Sequence, residues 1–171
     1  DGVCLDWEYG FHTWMETHGH TLKQKDLYSV AKQYELTDEQ AKRQVEIFNS
    51  SASMGFLPPL RDAQYYIKLL AEKLGYRFVA VTSLSNDVSA QKLRTCNLKK
   101  LFGNDTFIEY HYLGCGEDKD EILLELANKY EGSIWVEDKY INAEVGARVG
   151  FDALLMEHGH NMSYEGDCKI V

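Results

Sequence analysis

The sequence lacks any apolar run approaching the roughly 18 residues that a membrane-spanning helix requires. No secretory signal, transit peptide, internal repeat or low-complexity tract is visible either. The cysteines are widely spaced, at Cys4, Cys96, Cys115 and Cys168, and form no Cys-x-x-Cys pair. This spacing favours reduced thiols in a cytoplasmic protein over a disulfide framework or a zinc site.

Basic residues are also scarce: 18 Lys and Arg stand against 27 Asp and Glu, for a formal charge of −9. The balance argues against a nucleic-acid polymer or an anionic membrane as partner, because such binders need basic faces. It is compatible with a small phosphorylated substrate, since one local cation or a carboxylate-held metal can bind a phosphate. The 171 residues, 44% hydrophobic and 26% charged, are typical of one soluble globular domain with a small appendage.

The first third of the chain has helical periodicity, from about Trp7 to Phe48. A capping box of Thr37 and Gln40 begins a new helix after a short connection, which predicts a helical hairpin. A proline-bearing loop at 49–59 closes this segment, and a further helix at 61–74 is predicted to end at Gly75.

Beyond Gly75 the pattern changes to short apolar runs that alternate with helices. The runs lie at 78–81, 107–110, 134–136 and 153–156. Ser85 and Asp118 are predicted to cap two of the intervening helices. Such alternation predicts a parallel sheet, and therefore a three-layer α/β core that is interrupted early by a helical insert.

Polar residues follow the apolar runs, where the carboxyl ends of parallel strands form ligand sites. Thr82 and Ser83 follow the first run, and hydroxyls near a helix start can hold a phosphate. Glu137 and Asp138 follow the third run, and adjacent carboxylates suit Mg²⁺. Lys119 begins a predicted helix, where a cation is unfavourable because of the helix dipole. Its position there weakly indicates a role outside the helix. Taken singly, each is more simply a cap, a turn or a solvated side chain.

Histidines and aromatic residues offer further candidates. Two His-x-His pairs occur, at His18 and His20 and at His158 and His160. Neither pair has a companion ligand at a zinc spacing, so both are interpreted as surface or loop histidines. The insert carries Trp7, Phe11, Trp14 and Phe56. These rings are most simply its core, although one or two could stack on a substrate ring.

Four short motifs, in this order, resemble those of the haloacid-dehalogenase superfamily of phosphotransferases. They are Asp1-Gly2-Val3, Val81-Thr82-Ser83, Lys119 and Val136-Glu137-Asp138. The run from Asp1 to Glu8, with Gly55-Phe56 ahead of Pro58-Pro59, is similar to the 5′(3′)-deoxyribonucleotidases. Glu137-Asp138 looks more like the sugar-phosphate phosphatases and mutases of the superfamily.

The resemblance implies a Rossmann-like core with a parallel central sheet, formed by residues 1–6 and 60–171, and a small helical cap, formed by residues 7–59. It also implies a nucleophilic aspartate two positions before Asp1, at the end of an apolar strand of about five or more residues. Asp1 would be the acid–base residue, and its main-chain carbonyl would also be a Mg²⁺ ligand. Glu137 and Asp138 would complete the Mg²⁺ site. Thr82, Ser83 and Lys119 would bind the phosphate.

These implications make a Mg²⁺-dependent, 5′-nucleotidase-like phosphomonoesterase the leading hypothesis, with an aspartyl-phosphate intermediate. Trp7, and with it Phe56, would line the substrate pocket for a nucleoside monophosphate or another small phosphate ester. A phosphomutase or phosphotransferase of the same superfamily is the nearer alternative. A non-catalytic binding protein on the same fold is the other, if the nucleophile is absent from the protein.

Overall fold

Helices dominate the first third of the computed structural model, which describes residues 1–171. They are α1 (Trp7–Thr17), α2 (Val30–Tyr34) and α3 (Asp38–Asn49). The predicted capping box is present at α3, where Thr37 accepts the backbone N–H of Gln40 and the Gln40 side chain accepts that of Thr37. The predicted hairpin is thus α2 and α3, with an irregular segment between α1 and α2.

The helical segment leaves and rejoins the rest of the chain at one place. Leu5 and Pro59 form an antiparallel bridge. The backbone N–H of Asp6 donates to Pro58 O at 2.9 Å, and that of Leu60 to Cys4 O at 2.9 Å. Residues 7–57 are therefore an excursion whose two ends are hydrogen-bonded to each other, next to the first residues of the chain.

The remaining helices are α4 (Ala63–Leu74), α5 (Val88–Phe102), α6 (Asp120–Lys129) and α7 (Tyr140–Val149). Gly75 ends α4 in the left-handed region, with φ of 74°, as predicted. The prediction of Ser85 as a helix cap is wrong, because Asp87 accepts the N–H groups of Ser89 and Ala90 at the start of α5. The prediction of Asp118 is also wrong, because Lys119 is the cap residue of α6.

Five strands are present: β1 (Phe78–Ser83), β2 (Phe107–Leu113), β3 (Ile134–Glu137), β4 (Asp152–Leu155) and β5 (Lys169–Ile170). All pair in parallel, in one set of β1 and β2 and a second of β3, β4 and β5. β1 and β3 each have one edge without a strand partner. Asp1 and Gly2 lie between the carboxyl ends of these two strands, since Asp1 contacts Thr82 and Gly2 contacts Asp138.

One cluster of buried apolar side chains joins the helical segment to α4, α5 and the first sheet. Phe11 and Phe48 are fully buried, with ring centroids 5.3 Å apart and edges directed at faces. Complete burial of such a side chain contributes about 1.5–3 kcal/mol. Because both parts share this cluster, the division into a core (1–6 and 60–171) and a cap (7–59) stays a prediction. None of the helices is both long and apolar enough to span a membrane.

Candidate active site

A cavity of about 340 Å³ opens at the carboxyl ends of β1 and β3. The residues predicted from the sequence that line it are Asp1, Trp7, Thr82, Ser83, Lys119, Glu137 and Asp138. Further polar residues that line it are Glu8, Tyr28, Gln33, Asn49, Glu117, Lys139, Asn142, His158 and His160. The predicted residues come from separate segments of the chain, and parallel strands bring them to one edge.

The Asp1 carboxylate is held between β1 and α5. Its Oδ2 accepts a hydrogen bond from the Thr82 hydroxyl at 3.2 Å, and its Oδ1 is paired with the guanidinium of Arg94. Arg94 is only 1% exposed, and this burial lowers its pKa to about 10, so it is a cation at neutral pH. Sequence reasoning missed Arg94, because a lone arginine within a helix gives no signal of a buried contact.

Lys119 and Glu137 form a buried ion pair. Lys119 Nζ lies 2.6 Å from Glu137 Oε2, and the backbone N–H groups of Asp138 and Lys139 donate to Oε1, both at 3.2 Å. Burial pushes the pKa of Glu137 upward, but the Lys119 ammonium and these hydrogen bonds bring it below its ordinary value. Lys119, at the start of α6, therefore has a role outside its helix, as the sequence indicated: it neutralises the buried carboxylate of Glu137.

The Asp138 carboxylate lies against the backbone of Gly2. A Cβ atom at Gly2 would be 2.3 Å from Asp138 Oδ2, so only glycine fits this approach. Burial, followed by the negative charge of Glu137, raises the pKa of Asp138 to about 7. The nearest histidine nitrogen, Nε2 of His160, is 4.0 Å from Oδ2. Asp138 is therefore a half-buried carboxylate whose charge the protein compensates only in part.

The predicted metal ligands are the main-chain carbonyl of Asp1 and the carboxylates of Glu137 and Asp138, and this set stays a prediction. No group of three or more His, Cys, Asp or Glu side chains is arranged to hold a metal ion. The carboxylates of Asp1 and Glu137 are paired with Arg94 and Lys119. The partly compensated carboxylate of Asp138 does fit Mg²⁺, which takes one or two carboxylates together with waters and substrate phosphate.

The loop after β4 contributes residues that sequence reasoning did not assign to the site. His158 Nε2 donates to Gly2 O at 2.6 Å, and Asn161 Nδ2 donates to Asp138 O at 2.8 Å. His158 precedes a short 3₁₀ helix (Gly159–Asn161) that contains His160, and both histidines line the cavity. The strand-end rule, if applied to the last predicted strand, would have found them. His18 is exposed and stacks on Trp14 at 4.0 Å between ring centroids.

The two predicted substrate-pocket aromatics have different positions. Trp7 lines the cavity, where its indole N–H donates to Asn49 Oδ1 at 2.8 Å and its ring stacks on Phe11. The prediction of Phe56 is wrong, because its side chain is 74% exposed and lies outside the cavity. The adjacent Met54 and Leu57 occupy the buried positions there.

The chain has the fold of the haloacid dehalogenase-like hydrolases. It superimposes on a haloacid dehalogenase-like family hydrolase from Streptococcus pneumoniae with a TM-score of 0.62, at 14% identity, over 99% of this chain and 90% of that one. This likeness confirms the predicted three-layer α/β class with parallel strands.

In sequence, the chain is 30% identical over 145 residues to an uncharacterized 32.4 kDa protein of the Gp30–rIII intergenic region of Enterobacteria phage T4. The match covers 81% of this chain and 51% of the phage protein, so the chain spans about half the length of that relative. No protein-family model matches the sequence.

Proposed function

We propose that this protein is a Mg²⁺-dependent phosphomonoester hydrolase that acts through an aspartyl-phosphate intermediate. The observation that carries the proposal is the convergence of Asp1, Thr82, Lys119 and Asp138 on one cavity. An acid–base carboxylate, a hydroxyl, an ammonium and a partly compensated carboxylate are the groups that phosphoryl transfer through an aspartate requires.

Phosphate binding falls to Thr82, Ser83 and Lys119. The two hydroxyls are at the end of β1, and Lys119 has three N–H donors, of which Glu137 occupies one. Donors fixed in advance around a buried anion stabilise the negative charge of the transferring phosphoryl group. Glu137 in turn keeps Lys119 in place, so its role is to position the ammonium.

Asp1 is the acid–base residue of the proposed reaction. An aspartate two positions before Asp1 attacks phosphorus, an acyl-phosphate bond forms, and the bond to the leaving oxygen breaks. Asp1 in its protonated form gives its proton to that oxygen, and in its ionised form takes one from water in the second step. The contacts with Arg94 and Thr82 hold the Asp1 carboxyl group in position.

The proposal therefore requires a strand that ends in this aspartate. The unpaired edges of β1 and β3, on either side of Asp1 and Gly2, are consistent with such a strand. Asp138 would hold the metal, next to the backbone of Gly2. When bound, Mg²⁺ neutralises charge on the phosphoryl oxygens.

The test is release of inorganic phosphate from a panel of phosphate esters, nucleoside monophosphates included, by the protein with the residues that precede Asp1. We expect hydrolysis that depends on Mg²⁺ and is lost in Asp138→Asn. The matched control is Asp152→Asn, since Asp152 is an exposed carboxylate at the start of β4. Activity retained by Asp138→Asn would refute the assignment of the site, and transfer to a sugar phosphate without release would favour a mutase.

A further inference from the structure

The cavity that the phosphate-binding residues line is also lined by an oriented carboxylate from α1. Glu8, in the first turn of α1, lines the cavity, and its Oε1 accepts a hydrogen bond from Gln33 Nε2 at 3.1 Å. The same amide nitrogen donates to Leu27 O at 2.9 Å. Gln33 is 4% exposed, so this amide is a buried support that orients the Glu8 carboxylate.

A second support comes from within α1. His12 Nε2 lies 3.3 Å from Glu8 Oε1, and His12 Nδ1 is 2.5 Å from the hydroxyl of Tyr34. The hydrogen bond from His12 lowers the pKa of Glu8 despite the opposing effect of its partial burial. Glu8 is therefore an anion at neutral pH, with its orientation set from two sides.

Glu8 and Gln33 present acceptors to the cavity. All the hydrogen bonds to the Glu8 carboxylate reach Oε1, which leaves Oε2 without a partner in the protein. The Gln33 side chain uses its nitrogen as donor, and its oxygen makes no hydrogen bond within the protein. Both residues line the cavity. This wall thus offers a negative charge and two free acceptor oxygens.

The other charged groups that line the cavity do not contact Glu8. Lys119 is paired with Glu137, and the ammonium of Lys139 lies over the ring of Tyr28, 5.6 Å from its centroid. Burial lowers the pKa of His160, so this side chain is neutral at pH 7. A negatively charged organic group next to Glu8 would therefore meet a like charge, whereas a positively charged group would gain an ion pair.

We propose that Glu8 selects the organic part of the substrate and favours phosphate esters that carry a cationic, hydrogen-bond-donating group such as an ammonium. This inference rests on the proposed function, because it concerns the leaving-group side of the same cavity. Phosphate binding at Thr82 and Lys119 would place the remainder of a small ester in the same 340 Å³ cavity that Glu8 lines. Esters that carry a carboxylate are disfavoured by like-charge repulsion.

A pair of two-carbon phosphate esters tests the proposal, phosphoethanolamine with an ammonium and 2-phosphoglycolate with a carboxylate. We expect kcat/KM to be higher for phosphoethanolamine, and Glu8→Gln to lower the ratio of the two values about tenfold. Glutamine keeps the size of the side chain and an acceptor for Gln33, so the fold is preserved. The matched control is Glu16→Gln, an exposed carboxylate on the same helix that does not line the cavity.

The outcomes separate this inference from the proposed function. Absence of hydrolysis of any phosphate ester would refute the proposed function itself. Hydrolysis of phosphate esters with a preference for 2-phosphoglycolate, or without activity on phosphoethanolamine, would overturn the role of Glu8. An equal ratio in Glu8→Gln, Glu16→Gln and the unmodified protein would overturn it as well.

Discussion

Replacing Lys119 by methionine should destabilise the protein, because the buried carboxylate of Glu137 would lose its cationic partner. The side chains of Lys119 and Glu137 are only 10% and 5% exposed, and their charged atoms are 2.6 Å apart. Breaking a buried pair by removing one partner typically costs about 3–5 kcal/mol, because the other charge is left without compensation. Two backbone N–H groups still donate to Glu137, so we expect Lys119→Met to lower the free energy of unfolding by about 3 kcal/mol.

The assay is urea unfolding at pH 7 on a double-mutant cycle of Lys119→Met, Glu137→Gln and the combined variant. The combined variant should recover about 1.5 kcal/mol or more of the loss, because it no longer buries an unpaired charge. Lys100→Met is the control, since Lys100 is an exposed lysine on α5, and it should stay within about 0.5 kcal/mol of the unmodified protein.

The pH dependence of the Lys119→Met variant gives an independent check. With Lys119 present, the pKa of Glu137 is below its ordinary value, so the stability that the pair contributes is lost as the pH falls through that range. Without Lys119, burial raises the pKa of Glu137 above its value in the unfolded chain. Protonation of Glu137 at lower pH should therefore make the variant more stable relative to the unmodified protein. The reasoning would be refuted if Lys119→Met lowered the free energy of unfolding at pH 7 by less than about 1 kcal/mol. It would also be refuted if the difference in stability between the variant and the unmodified protein did not shrink between about pH 7 and 5.

Two further predictions concern Gly2 and Glu109. Gly2→Ala should destabilise the protein by about 1–2 kcal/mol, measured by thermal unfolding. The reason is that Gly2 has a φ of 66° and that the Cβ of an alanine there would clash with Asp138. Gly116→Ala is the control for the backbone strain alone, since Gly116 has a φ of 81° but open space around its Cα. Glu109 accepts hydrogen bonds from Lys129 and Tyr130 and contacts His111, which lowers its pKa to about 2. Its stabilising effect should be present above the ordinary pKa of 4.5 and disappear as the pH falls to about 2. In Glu109→Gln, the free energy of unfolding should therefore fall less steeply over this pH range than in the unmodified protein. An equally steep fall would contradict the assignment.

Local chemistry explains why much of the fold was predictable. The capping box at Thr37 and the left-handed stop at Gly75 depend on residues within one helical turn. Thr82 and Glu137 were found because the strands that precede them have short apolar patterns, and parallel strands bring their carboxyl ends together. Phe56 was misplaced because a motif resemblance does not decide which of residues 54–57 the packing buries: Met54 and Leu57 are buried, and Phe56 is exposed.

The sequence by itself indicated most of the helices, the first four strands and the polar residues at strand ends, because these properties depend on neighbours along the chain. Only the tertiary structure decided which charged side chains form pairs. Lys119 pairs with Glu137, 18 residues away, and Asp1 pairs with Arg94, 93 residues away. Those pairings depend on distances between packed elements and on burial. They leave Asp138 as the partly compensated carboxylate at the proposed metal position.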